Sequence, residues 1–212
     1  MVGQQQGLPR WRGFNLLTLF VLHKQETVLA PNFLADTEAD IQRIADWGFN
    51  FIRIPMNYQN WLVDGNPRQI SDDALKVVDR IVELGTDAGM HVSLNFHTAP
   101  GYCINPAWPV LPNLWKNADS LEVFKMHWSH LAERYKGING DQLSFDLVNE
   151  PPDIDPEVMT VEDYVHVTTA GTEAIRAIDP DRMIVSDGYN VGTKPCADLV
   201  PLGIVHSCRG YQ

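Results

Sequence analysis

Residues 143–151 read LSFDLVNEP, a short and mostly apolar run that ends in Asn149, Glu150 and Pro151. Leu, Phe and Val suit a buried β-strand, and proline ends strand pairing because it has no N–H to donate. The segment therefore predicts a buried strand that delivers an amide and a carboxyl side chain to its own C-terminal end. In α/β sheets and barrels, the chemistry is placed at the C-terminal ends of the parallel strands.

Five further segments have the composition of strands, and four segments with helical apolar spacing lie between them. Two helix starts are marked by Ser71 and by Thr160, which has Asp163 three residues later as in a capping box. Strands that alternate with helices predict a parallel sheet with helical crossovers. The six predicted strands are Gly13–Leu16, Phe49–Pro55, Met90–Phe96, Leu143–Asn149, Met183–Ser186 and Gly203–Cys208.

Two parallel-sheet folds are compatible with this alternation, the doubly wound open sheet and the (β/α)8 TIM barrel. The open sheet usually carries a G-x-G-x-x-G turn after an early strand, whereas here the first strand is followed by LTL at residues 17–19. A site assembled from many strand ends is typical of the barrel, so the α/β TIM barrel is predicted. The polar or aromatic residues at predicted strand ends are Arg53, His97, Asn149, Glu150, Asp187, Arg209 and Tyr211.

Composition narrows the classes of partner. The 212 residues include 16 basic and 27 acidic side chains, a formal charge of −11, which argues against a nucleic-acid partner. No apolar run has the length of a membrane span, and the first residues lack the pattern of a secretory signal. The location is therefore either cytoplasmic or secreted with the signal absent. No cofactor or metal is indicated, and the oligomeric state is left open.

Four motifs at predicted strand ends, taken in chain order, resemble those of glycoside hydrolase family 5. The matching segments are Arg12–Asn15, Phe51–Pro55, His97–Gly101 and Asn149–Pro151. Members of that family are retaining β-glycanases built on an eight-stranded barrel. The resemblance implies that Glu150 is the general acid/base, and it implies an oligosaccharide or polysaccharide as the partner.

The chemistry of glycoside cleavage is consistent with these assignments. A glycosidic oxygen leaves poorly until it is protonated, which Glu150 at a strand end could do. Asn149 could bind a sugar 2-hydroxyl, a contact that strengthens in the transition state. Arg53 is a cation in an apolar strand and needs a partner such as Asp146. The resemblance implies that Arg53 also orients the nucleophilic carboxylate, and His97 is either a core histidine or a sugar or supporting contact.

The sixth predicted strand departs from the pattern of the family, in which His-x-Tyr is common. The matching positions here are Arg209, Gly210 and Tyr211. The supporting role of the family tyrosine is carried over to Tyr211, and Arg209 becomes a candidate substrate-binding residue. His206 lies three residues earlier and is expected inside the strand.

Aromatic residues are concentrated in two long loops that follow strands, at residues 56–70 and 98–116. Tryptophan and tyrosine rings can stack on the apolar face of a sugar, although rings in loops also pack against the loops themselves. The candidate substrate-binding aromatics are Trp61, Tyr102, Trp108 and Trp115.

A retaining mechanism needs a second carboxylate about 5–5.5 Å from the first. The family places this glutamate on its seventh strand, and the present sequence stops at Gln212, just after the sixth-strand motif. We therefore expect residues 1–212 to be the N-terminal part of a single barrel domain, truncated to about six strands and inactive alone. Asp187 is the one local alternative, and a loop-stabilising role is favoured for it.

The predicted function is that of a retaining hydrolase of β-linked polysaccharide, with β-1,4-glucan as the favoured substrate. Other β-glycosidases of the family are open alternatives, namely a mannanase, an exo-glucanase or a β-glucosidase. A barrel that binds glycans without cleaving them is another. A metal-dependent hydrolase using His97, His206 and Asp187 is a third, but neither HxH nor HExxH is present.

Overall fold

The computed structural model describes residues 8–106 and 111–210. Six α-helical segments are assigned in these ranges, together with 3-10 turns at Tyr58–Trp61 and Ala197–Leu202. The helices are α1 (Gln25–Val28), α2 (Ala35–Asp46), α3 (Asp72–Asp87), α4 (Ala118–Arg134), α5 (Val161–Arg176) and α6 (Tyr189–Gly192). The strands are β1 (Gly13–Asn15), β2 (Phe51–Asn57), β3 (Leu62–Val63), β4 (Asn66–Ile70), β5 (His91–Ala99), β6 (Tyr102–Cys103), β7 (Leu143–Asp146), β8 (Met183–Asp187) and β9 (Val205–Ser207).

Six of the strands form one parallel sheet in the order β1-β2-β5-β7-β8-β9, and each pairs with the next of the six along the chain. A doubly wound sheet would reverse its strand order at a switch point, and these strands do not reverse. The predicted fold is confirmed, because the strands form a half-barrel with TIM-barrel topology. The short strands are additions: β6 folds back on β5, and β3 pairs with β4.

The predicted helix caps are present. The Ser71 hydroxyl accepts a hydrogen bond from the amide of Ala74 at 3.2 Å, at the start of α3. Thr160 and Asp163 form the reciprocal capping box of α5, with bonds of 3.1 and 2.7 Å. Capping satisfies amides that have no partner within the helix. These starts were predictable because every group in them lies within one turn.

None of the described helices is long and apolar enough to cross a membrane.

Alternation along the strands separates the apolar core from the interior of the half-barrel. Ile52 in β2 and Val92 in β5 are fully buried and contact α3 at Gly85, where a Cβ atom would meet both side chains. Arg53 and Ser93, one residue further along each strand, line a cavity inside the half-barrel instead. This period of two places the helices outside and the polar side chains inside.

Strand β7 ends earlier than predicted, at Asp146 rather than Asn149. The amide of Leu147 bonds to Val185 of β8 at 3.0 Å, whereas that of Asn149 bonds to Phe96 of β5 at 2.9 Å. Amides two residues apart in a regular strand point to the same neighbour, so the backbone turns between these two residues. Glu150 therefore lies beyond the strand, in a turn.

Candidate active site

A cavity of about 350 Å³ lies at the C-terminal ends of the barrel strands. Its position is where TIM barrels carry their active sites. Glu150 is the one carboxylate among the described residues that line it, and its side chain is 14% exposed. The residues that line it include Phe20, Arg53, His97, Asn149, Glu150 and Arg209.

The backbone of Glu150 has a φ of 48°, in the left-handed region that non-glycine residues rarely adopt. Its amide donates to Asp187 Oδ2 at 3.0 Å, and its carbonyl accepts from the Tyr102 hydroxyl at 2.6 Å. Its Oε1 lies 3.5 Å from Nε of Arg209. Both polar backbone groups of this residue are thus held by side chains from other strands.

Arg53 reaches several polar side chains from β2. Its Nε donates to Asp146 Oδ2 at 2.8 Å, which is the pairing that the sequence suggested. One Nη donates to Asn149 Oδ1 at 3.0 Å, and the other to Asn15 Oδ1 at 3.4 Å. Arg53 engages the Asn149 side-chain oxygen, whereas the amide nitrogen of Asn149 is buried and makes no hydrogen bond in the structure.

Two buried carboxylates lie beneath the cavity and face two guanidinium groups. Asp187 is fully buried and accepts from Arg209, and Nη2 of Arg53 is 3.8 Å from it. Burial, with the charge of Asp187 beside it, raises the pKa of Asp146 against the opposing effect of Arg53. Because Asp187 is enclosed, it does not present an oxygen to a substrate, and the loop-stabilising interpretation fits its contacts.

His97 lines the cavity, and its ring lies 4.3 Å from that of Phe20, centroid to centroid. Burial and, to a smaller extent, the positive charge of Arg53 lower the pKa of His97 to about 4, against the opposing charge of Glu150. The imidazole is therefore neutral near pH 7, which suits a hydrogen bond to a hydroxyl group. Sequence reasoning did not find Phe20, because a phenylalanine inside the apolar run LLTLF looks like core.

The structure corrects the expectation that Trp61, Trp115 and Tyr102 are exposed sugar platforms. Trp61 is 1% exposed, and its Nε1 donates to Nδ1 of His127 at 3.1 Å. Trp115 is 3% exposed and packs edge-on against Tyr102 at 5.3 Å. Neither indole presents a face to solvent, because Trp61 packs against Phe96 and His127, and Trp115 packs against Tyr102 and Tyr164. Tyr102 is also buried, and it contacts the backbone of Glu150 rather than a free surface.

The remaining candidates lie on or near the last strand. Arg209 lines the cavity and donates to Ser207 Oγ at 2.8 Å as well as to Asp187. His206 lies within β9, as expected, and its Nε2 accepts from the amide of Cys196 at 3.0 Å. Tyr211 and Trp108 lie outside the described residues. Within residues 8–106 and 111–210, no group of three His, Cys, Asp or Glu side chains could hold a metal ion.

Comparison with protein families gives a match over residues 7–203 to the cellulase family, glycosyl hydrolase family 5. This match covers most of the chain. The chain belongs to glycosyl hydrolase family 5. A crystal structure described as a glycoside hydrolase is 36% identical, with a TM-score of 0.83, over 96% of this chain and 61% of that one. Thermotoga maritima endoglucanase Cel5A shares the fold, with a TM-score of 0.63 at 22% identity over 86% of this chain and 53% of its own.

Named relatives have several activities. Cellodextrinase A of Ruminococcus flavefaciens is 28% identical over 153 residues, which is 72% of this chain and 43% of that protein. Endoglucanase C of Acetivibrio thermocellus is 29% identical over 181 residues, 83% of this chain and 50% of its own. A beta-xylosidase of Phanerodontia chrysosporium is 29% identical over 158 residues, 72% of this chain and 32% of its own. The chain thus spans half or less of the length of these three relatives.

Proposed function

We propose that the whole protein is a retaining glycoside hydrolase that cleaves β-linked glucan, with Glu150 as the general acid/base. The observation that carries the proposal is the position of Glu150, the one carboxylate among the described residues that line the cavity at the strand ends. A carboxylic acid there can protonate the glycosidic oxygen as the bond breaks. The resulting carboxylate can then accept a proton from water in the second step.

Neighbouring side chains supply the other parts of this proposal. Asn149, oriented by Arg53 at 3.0 Å, donates to a sugar 2-hydroxyl, and neutral His97 binds another hydroxyl. The nucleophile is proposed to come from outside residues 1–212, because Asp187 and Asp146 are buried and paired with arginines. We therefore propose that residues 1–212 alone do not hydrolyse glycans.

A β-1,4-linked glucan is the favoured substrate because the relatives include endoglucanases and a cellodextrinase. Cel5A of Thermotoga maritima has been crystallised with cellobiose and also with mannotriose. A mannanase, an exo-glucanase or a β-glucosidase is the alternative within the family. Comparison of soluble β-1,4-glucan, β-1,4-mannan and aryl β-glucosides as substrates separates these possibilities.

The test of the acid/base assignment is Glu150→Gln in the protein expressed from its complete reading frame. The glutamine keeps the size of the side chain but cannot transfer a proton. We expect kcat on soluble β-1,4-glucan to fall by about 100-fold or more. The matched control is Glu173→Gln, at an exposed position of α5, which should behave like wild type. A kcat near wild type in Glu150→Gln would refute the assignment.

The second candidate is a barrel that binds glycans without cleaving them. It would show saccharide binding by calorimetry with no release of reducing ends, in the complete protein. Any release that Glu150→Gln abolishes dismisses this alternative.

A further inference from the structure

Two side chains from other parts of the barrel hold the peptide groups of Glu150. The Asp187 carboxylate, at the end of β8, accepts the amide N–H, and the Tyr102 hydroxyl, on β6, donates to the carbonyl. We call these two contacts the Glu150 clamp. Because a φ of 48° is unfavourable for glutamate, the surrounding contacts must impose it.

Asp187 is suited to this role by its own surroundings. It is fully buried, and the same oxygen that accepts from the Glu150 amide also accepts from Arg209. Nη2 of Arg53 is 3.8 Å away, so the carboxylate is fixed between two guanidinium groups. A buried carboxylate held in this way is a rigid acceptor rather than a mobile one.

The short segment α6 contains a left-handed turn rather than a regular α-helical turn, and it extends the same arrangement to the residues that follow Glu150. Asn190, Val191 and Gly192 have φ values of 54°, 59° and 77°, and such a φ is strained for a β-branched valine. The amides of Asn190 and Val191 bond at 2.9 Å to the carbonyls of Pro152 and Pro151, directly after Glu150.

The turn also meets the arginine that binds Asp187. The Arg209 amide donates to the carbonyl of Gly192 at 2.7 Å. A Cβ atom at Gly192 would lie 2.6 Å from the Arg209 side chain, which accounts for glycine there. Hydrogen bonds therefore join the segments that follow β7, β8 and β9 around Glu150.

We infer that Asp187 and Tyr102 are positioning residues, which hold the Glu150 backbone in its left-handed conformation and so aim its carboxyl group at the glycosidic oxygen. This inference rests on the proposed acid/base function of Glu150. If the clamp is released, the peptide returns to a commoner φ and the carboxyl group moves. A displacement of about 1 Å from productive geometry costs about 100-fold in rate.

The test compares substrates that differ in their leaving group. A poor leaving group needs protonation by Glu150, whereas a good one departs without it. In the complete protein, Asp187→Asn and Tyr102→Phe are assayed on 4-methylumbelliferyl and 2,4-dinitrophenyl β-cellobiosides. For Asp187→Asn we expect kcat/KM to fall about 100-fold on the first substrate and less than about threefold on the second. For Tyr102→Phe we expect about a tenfold fall on the first substrate only, because one of the two clamp contacts remains.

A second readout is rescue by azide, which attacks the glycosyl-enzyme without needing a general base. Azide should raise kcat of both clamp variants on the dinitrophenyl substrate. Asp181→Asn, at an exposed position, should behave like wild type. Tyr135→Phe loses a partly buried hydrogen bond to Asp79 at 3.0 Å, and neither residue lines the cavity. Tyr135→Phe should change kcat/KM by the same factor on both substrates, as expected of a purely structural effect.

Equal losses on the two substrates in the clamp variants would overturn the inference. If Asp187→Asn does not fold, Tyr102→Phe decides the question by the same criterion. Glu150→Gln, assayed alongside, separates the two proposals. If it shows no dependence on the leaving group, the acid/base assignment fails. If it shows that dependence and the clamp variants do not, only the clamp is refuted.

Discussion

We expect His127 to make the folded protein less stable in acid. The indole of Trp61 donates to its Nδ1 at 3.1 Å, and its Nε2 lies 2.8 Å from the carbonyl of Pro67. The neutral ring with its proton on Nε2 satisfies both contacts, whereas a second proton on Nδ1 would face the indole N–H. Burial lowers the pKa of His127 to about 4, from 6.5 in the unfolded chain.

The sign of the effect follows from proton binding. Between pH 6.5 and 4 the unfolded chain binds a proton at His127 that the folded chain does not, so stability is lost as the pH falls through this window. Each pKa unit is worth about 1.4 kcal/mol, so the difference in pKa lowers the free energy of unfolding by about 3 kcal/mol between pH 7 and pH 4.

The assay is urea unfolding of the complete protein at pH 7, 5.5 and 4, for wild type and His127→Gln. Glutamine can accept from Trp61 and donate to Pro67, but it does not titrate. We expect wild type to lose about 3 kcal/mol more than the variant over this range. His166→Gln, at an exposed position of α5, is the control and should follow wild type. Parallel pH dependences of wild type and His127→Gln would refute the reasoning.

Two further predictions concern a site contact and a helix cap. Arg53→Lys should lower kcat by about 100-fold with little change in KM, because a single ammonium cannot hold both Asp146 and Asn149. Steady-state kinetics on soluble β-glucan measures this, and an unchanged kcat would contradict the prediction. Thr160→Ala removes the N-cap of α5, away from the cavity, so it should lower the free energy of unfolding in urea by about 1 kcal/mol and leave kcat unchanged. A changed kcat would show that this cap affects the site.

The parts of the fold that were predictable from sequence depend on local interactions. The box of Thr160 and Asp163 and the cap at Ser71 lie within one helical turn, and each formed where it was expected. The six barrel strands were predicted within a few residues, because their apolar runs are bounded by turns. The end of β7 was misplaced, because Leu147 and Asn149 bond to different neighbouring strands, which the apolar pattern does not reveal.

The environment of the loop aromatics was beyond local reasoning. Trp61 and Trp115 have the sequence context of exposed rings, yet Trp61 is buried against His127 of α4 and Trp115 against Tyr164 of α5. Phe20 has the context of a core residue, yet it lines the cavity beside His97. Whether a ring faces solvent depends on where the loop returns to the barrel, and that path is set by tertiary packing.

The sequence by itself determined the family, the barrel topology and the candidacy of Glu150, because these depend on periodicity and on motifs at strand ends. Only the tertiary structure showed that Asp187, 37 residues further along the chain, holds the amide of Glu150, and that Tyr102, 48 residues earlier, holds its carbonyl. The reason is physical. These contacts require three segments to meet in one register and one residue to adopt a left-handed φ, which no local pattern specifies.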